Sequence, residues 1–239
     1  MKKLLSLTFS CFLYISGFSQ TRVIDVDKEG VDISRVFYSI GGEPFVNVKF
    51  VRLVEGTPYF REEWLKGSVI LSGGRVYNNL SLKLDLYDNE VHYLDDKGVE
   101  YVASTPIKQV AITDRNIEHV FLHSSVLPAN NFYSKPTWYL RLSQDTVSLY
   151  KYFNKQVSES KPYGQATAEQ QIRTQDKYWV LYNNSWIEIK KLKEAPALFG
   201  DKKQALENFL KNKDDKTAPM DQRLVAFINH LNTLVQTAK

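Results

Sequence analysis

From Phe45 onward the apolar positions recur with a period of two rather than 3.6. Leu80, Leu82, Leu84 and Leu86 alternate with Ser81, Lys83, Asp85 and Tyr87, one face aliphatic and one polar, as in a half-buried antiparallel strand. Phe45 to Leu53 alternates likewise. Ser68 to Leu71 meets Arg75 to Tyr77 across Gly73-Gly74, a pair that supplies the positive φ required by a two-residue hairpin. Asp88-Asn89 and the run Asp95 to Gly98 punctuate the next strands, Glu90 to Leu94 and Val99 to Val102, and Ile107 to Ile112 follows.

Beyond Pro106 the same pattern continues with more aromatics. Glu118 to His123, Thr137 to Leu142 and Thr146 to Phe153 read as strands, with Gln144-Asp145 as a tight turn. Lys177 to Tyr182 and Trp186 to Ile189 form a hairpin over Asn183-Asn184-Ser185. The intervening Ser158 to Thr174, rich in Gln, Ser and Ala around Pro162 and Gly164, reads as a loop or a short helix. After Gly200-Asp201 the period changes. Ala205, Leu206, Phe209 and Leu210 share one helical face, and after Pro219 a stripe from Leu224 through Phe227, Ile228 and Leu231 to Val235 predicts a second helix. The fold class expected is mainly β, an antiparallel meander forming a sandwich or a partly open, coiled barrel, with a C-terminal α-helical pair packed on it.

The N-terminus departs from this pattern. Met1-Lys2-Lys3 precedes an apolar run from Leu4 to Phe18, with small residues at Gly17 and Ser19, the layout of a cleavable secretory signal. The run falls short of the roughly 20 residues that span a bilayer as a helix. The chain therefore divides into a signal peptide at 1–19, an antiparallel β domain at 20–192 and a helical pair at 193–239, with no transmembrane segment after cleavage. The predicted destination is the periplasm, the outer-membrane periphery or the exterior. Cys11, the single cysteine, lacks the upstream aliphatic residue and the polar tether of a lipid-attachment site, and it leaves with the leader. The mature chain then has no thiol to oxidise and rests on core packing. A net charge of +4 over 239 residues gives no field for binding nucleic acid.

Candidate chemistry is sparse. His119 and His123 lie on one strand, about 13 Å apart and too far to share a metal ion; His92 and His230 stand alone in sequence, and no thiolate accompanies them. Asp25 to Gly30 opens like an EF-hand loop, but Ile33 and Val36 occupy positions where ligands are needed. There is no G-x-S-x-G elbow, and Gly41-Gly42 and Gly73-Gly74 lack the spacing of a phosphate loop. The carboxylate pairs Glu62/Glu63, Asp85/Asp88 and Asp95/Asp96 read as solvated turns. Among the aromatics, Tyr150 and Tyr152 share a strand face, Trp138 and Tyr139 oppose each other, and Tyr178, Trp179, Tyr182 and Trp186 cluster in the last hairpin. They are either core or a surface row able to stack on a sugar or an apolar molecule. No catalytic, metal-binding or cofactor-binding residue emerges, and no cofactor is implied.

The segments Gly56 to Phe60 through Trp64, Lys66 to Val69, Gly74 to Asn79 and Leu84 to Asn89 resemble a pattern in uncharacterised exported β-rich proteins of Bacteroidota. The Tyr178 to Ile189 hairpin followed by Phe199, Asp201 to Lys203 and Leu206 to Leu210 is similar to how those chains end. The resemblance implies a Gram-negative envelope or secreted setting and brings no established activity with it. The function expected is that of an exported non-enzymatic protein binding an envelope protein, a glycan or an apolar ligand through its sheet or loops. The alternatives are a hydrolase of envelope glycan or lipid, with carboxylates assembled by the fold, and a carrier of an apolar ligand.

Overall fold

The computed structural model describes residues 23–25, 40–45, 51–129, 132, 135–161, 163 and 167–237. The signal peptide at 1–19, most of the calcium-like run after Asp25, and residues 46–50 of the first expected strand lie outside them. The strands are β1 (Val23–Asp25), β2 (Gly42–Pro44), β3 (Val51–Glu55), β4 (Leu65–Leu71), β5 (Val76–Leu84), β6 (Val91–Leu94) and β7 (Glu100–Ala103). They continue with β8 (Ile107–Asp114), β9 (Ile117–His123), β10 (Trp138–Ser143), β11 (Ser148–Ser160), β12 (Ala168–Tyr182) and β13 (Ser185–Ile189). A 3-10 stretch, Leu192–Lys202, leads into helices α1 (Lys203–Lys213) and α2 (Met220–Gln236).

All these strands join one open sheet in the order β13-β12-β11-β10-β9-β8-β4-β5-β6-β7-β2. The fold is mainly β with a C-terminal helix pair, and the sheet is not a closed barrel. It is also mixed: β1 adds to β5 and β3 to β12, each in parallel, which the alternation pattern alone did not predict. Elsewhere the pairing is antiparallel, and Leu80, Leu82 and Leu84 are buried on one face of β5 as their spacing predicts.

Coiling brings distant strands together. The segment Val51 to Arg61 leaves the edge of β12, passes Gly56 against the Ile172 carbonyl, and reaches the end of β5. There Phe60 N–H donates to Leu84 O at 2.8 Å and Leu86 N–H to Pro58 O at 2.9 Å. On the way Lys155 Nζ, from β11, donates to Thr57 O and Tyr59 O at 2.9 and 3.1 Å. The Phe60 ring packs edge-on against Phe121 of β9, 5.0 Å away, and Phe153 of β11, 5.9 Å away. A single short strap thus ties strands that stand far apart in the sheet order, across its concave face.

Two apolar clusters share that face. One, around Tyr77, Leu82, Val110 and Phe121, fills the curl of β4 to β10. The other, Leu149, Val180, Leu206, Phe227 and Leu231, lies between β10–β13 and the helices, where the α2 stripe is buried and α1 buries Leu206 with Phe209 and Leu210 partly covered. On the opposite face Tyr139, Tyr150 and Trp179 form a third cluster with Leu122 and Trp186. Trp138 and Tyr139 do enter different clusters, as strand alternation requires.

One segment differs from its sequence reading. The described residues of Ser158 to Thr174 are mostly strand: β11 runs to Ser160 and β12 starts at Ala168, extending a long hairpin, while Pro162 and Gly164 lie outside the described residues. Its polar side chains hid a strand because the ribbon projects beyond the core, and little hydrophobic alternation survives there.

Candidate functional site

Where the two concave-face clusters meet, the sheet carries charge. Lys151 on β11 is only 8 % exposed, and its Nζ reaches Asp176 Oδ2 at 2.8 Å and Asp221 Oδ2 at 3.0 Å. Register explains the first contact: Lys151 pairs with Tyr178, so Asp176 is its diagonal neighbour on the same face. Asp221 comes from the first turn of α2, where the helix dipole favours a carboxylate. The Tyr178 hydroxyl donates to Asp221 Oδ1. Burial, then that hydrogen bond and the charges of Asp221 and Asp176, hold the phenol far above its usual titration range. His119 faces the same seam with its ring 5.1 Å from Phe60. Burial and the positive charges of Arg61 and Lys151 pull it below the ordinary imidazole value against the opposing pull of Asp114 and Asp221. The fold therefore does bring two distant carboxylates together. Both carboxylates hold the Lys151 ammonium.

Beside this seam a cavity of about 550 Å³ opens, with Asp176 and Tyr178 in its wall. Ile189, Leu192, Met220 and Leu224 give that wall an apolar lining continuous with the helix-covered core. Lys177, Glu188 and Lys190 line it as well, and Lys177 and Glu188 leave the opposite face of their strands.

The cavity exists because β12 is longer than its neighbours on one side. There β13 covers Tyr178 to Tyr182 and β3 covers Ala168 to Gln171. Between them, residues 172–177 have no strand on that side among the described residues. The turn into β13 fixes which backbone groups point there. Asn183 and Asn184 are both left-handed, φ 49° and 60°, as in a two-residue type I′ hairpin, so Tyr182 and Ser185 form a hydrogen-bonded pair. Even-numbered residues of β12 then aim N–H and C=O at the β13 side, which places those of Thr174 and Asp176 on the uncovered edge. The Ile172 carbonyl, lying against Gly56 on that side, has the same parity.

A second polar group lies on the other arm of the sheet. His92 on β6 is 1 % exposed, its Nδ1 2.7 Å from Glu100 Oε1 and its Nε2 3.5 Å from Glu90 Oε2. Phe45 and Tyr59 cover the ring at 5.0 and 5.6 Å. Burial and the surrounding Glu100, Asp85, Glu62 and Glu90 push the Tyr59 phenol up to about 12. Asp85 is buried rather than lying in the solvated turn read from sequence. Its Oδ1 accepts from Tyr87 N and Asp88 N at 2.7 and 2.8 Å, and desolvation outweighs these bonds to raise its pKa. Asp95 does hold a turn, accepting from Lys97 N and Val99 N. Among the described residues no three His, Cys, Asp or Glu side chains converge as metal ligands, and no helix is long and apolar enough to cross a membrane.

The aromatic row falls mainly on the packing side of the two readings. Tyr150 and Tyr152 share a face, but Tyr150 is buried beneath Trp186, and Tyr152 is half-buried against Tyr139. His119 and His123 lie on β9 as a strand places them, with His123 accepting from Ser125 at the start of a 3-10 turn. The residues missed from sequence are Lys151, Asp176 and Asp221. A lysine between Tyr150 and Tyr152, at an apolar-face position of a strand, was the signal that could have found them. Comparison of the chain with protein-family models, with curated proteins and with solved structures finds no match.

Proposed function

We propose that this is an exported, non-enzymatic envelope or secreted protein that binds its partner in the cleft between β12, the end of β13 and the N-terminal turn of α2. The observation that carries the reading is the 550 Å³ cavity, whose strand edge is bare among the described residues, set between an apolar and a charged wall. Recognition sites are concave and largely preformed, with apolar lining and a few placed polar groups, and the cleft has this make-up. The hydrolase alternative would require the Asp176/Asp221 pair to be free to flank a substrate, whereas both grip Lys151. An apolar carrier fits less well because Asp176, Lys177, Glu188 and Lys190 all line the space.

Export is tested by fractionating the native host and sequencing the mature N-terminus, which is expected at Gln20. Binding is tested by placing a photo-crosslinking amino acid at Lys190 or Met220 in the cleft, and at Ile117 on β9 as a control. The cleft positions are expected to yield a discrete adduct that the control does not. Adducts equal at all three positions, or at none, would remove the cleft from consideration.

A further inference from the structure

We infer that the occupant of the cleft is an extended peptide segment of a partner protein, added as a short strand to β12 between β3 and β13. This rests on the binding role proposed above and specifies its ligand class. Three observations converge on it. Thr174 and Asp176 turn backbone donors and acceptors outward in the repeat of a β-edge, and an edge of this kind is complemented by another extended backbone. Between Ile172, whose carbonyl Gly56 covers, and Tyr178, paired with Ile189, the bare residues 173–177 span four residue rises, about 13 Å, the reach of an extended segment of about four residues. The cavity lies alongside this gap, beyond the end of β13, with room for side chains.

The two walls also dictate a pattern. Met220, Leu224, Leu192 and Ile189 face one side of any strand laid there, and Lys177 and Glu188 the other. A strand sends successive side chains to opposite faces, so the favoured peptide alternates apolar residues toward α2 with polar or charged residues toward Lys177 and Glu188. A glycan could use the polar wall but would leave the backbone groups of Thr174 and Asp176 without their regular partners.

The test uses the full mature chain against a random heptapeptide library displayed on phage. Enrichment of sequences with apolar residues at every second position is expected. For the best synthetic peptide, two changes should each weaken binding at least tenfold: N-methylation of the alternate amides facing β12, and Met220→Lys in the protein. Met220 is 38 % exposed, so unchanged thermal melting of that variant would show that the fold is kept. No enrichment, enrichment without alternation, or affinity indifferent to N-methylation overturns the inference. If the photo-crosslinked adduct proves to be a glycan while the library yields nothing, the cleft remains a binding site and only the peptide assignment falls. If neither experiment gives a product, both readings fall together.

Discussion

Lys151 concentrates the ionic seam on one ammonium, so its loss should be felt by two carboxylates at once. Lys151→Met leaves Asp176 and Asp221 uncompensated, and removing one partner of a buried pair costs about 3–5 kcal/mol. Because both acids are about a third exposed or more, the expected loss in urea denaturation is nearer 2–3 kcal/mol. Adding Asp221→Asn to Lys151→Met should recover part of it, a coupling that a double-mutant cycle measures. Asp85 makes a second prediction, this one pH-dependent. Its carboxyl is raised in the folded protein by burial, so the folded state holds the proton more tightly than the unfolded chain. Stability from this group is complete below the ordinary carboxylate range near pH 4 and declines as pH rises through the raised folded value. Asp85→Asn keeps the Oδ1 acceptor for Tyr87 N and Asp88 N. It should match the parent near pH 3.5 and exceed it at pH 7, as read by melting temperature across that range. A variant no more stable at pH 7 than the parent would refute the burial argument.

Elements were legible where one face is buried and obscure where neither is. The leucines of β5 and the stripe of α2 announced themselves because burial imposes a period on the sequence. The outer half of the β11–β12 hairpin did not, since its Gln, Ser and Thr side chains are largely solvated and strand pairing there is made by backbone. The cleft was unreadable for a related reason: it arises from unequal strand lengths, and only pairing registers disclose those. Turns gave a mixed result. Gly73-Gly74 marked a turn, but only Gly74 is left-handed, φ 88°, in a three-residue loop from Ser72 to Gly74 rather than the two-residue one its sequence suggests; Arg115-Asn116, both left-handed at φ 49° and 64°, carries the β8–β9 hairpin without glycine. A non-glycine residue in that region costs about 1 kcal/mol, least for Asn. Asn184→Gly, completing the Asn-Gly pair preferred by a type I′ turn, should therefore stabilise the β12–β13 hairpin by roughly 0.5–1 kcal/mol in chemical denaturation. Asn184→Val should destabilise by more than that.

Across the whole molecule the strap makes one body of two arms. Gly56 is its tightest point: φ is +79°, and an added Cβ would lie 1.9 Å from the Ile172 carbonyl oxygen. Gly56→Val is expected to cost at least about 2 kcal/mol from backbone strain and displacement of β3 from β12. Proteolysis should then cut first near Arg52 or Lys155, at the two sides of the broken crossing. Intact strap with unchanged melting would contradict this account. The parallel pairing of Val51 with Ala168 also sets an order of events as the polypeptide emerges from a ribosome or translocon. The early strand has no bed until the late one has arrived, and a long stretch of chain must be closed before that contact rewards it. Leu53 has no partner on β12 meanwhile, so a slow last phase is expected in refolding kinetics, and its absence would contradict this order.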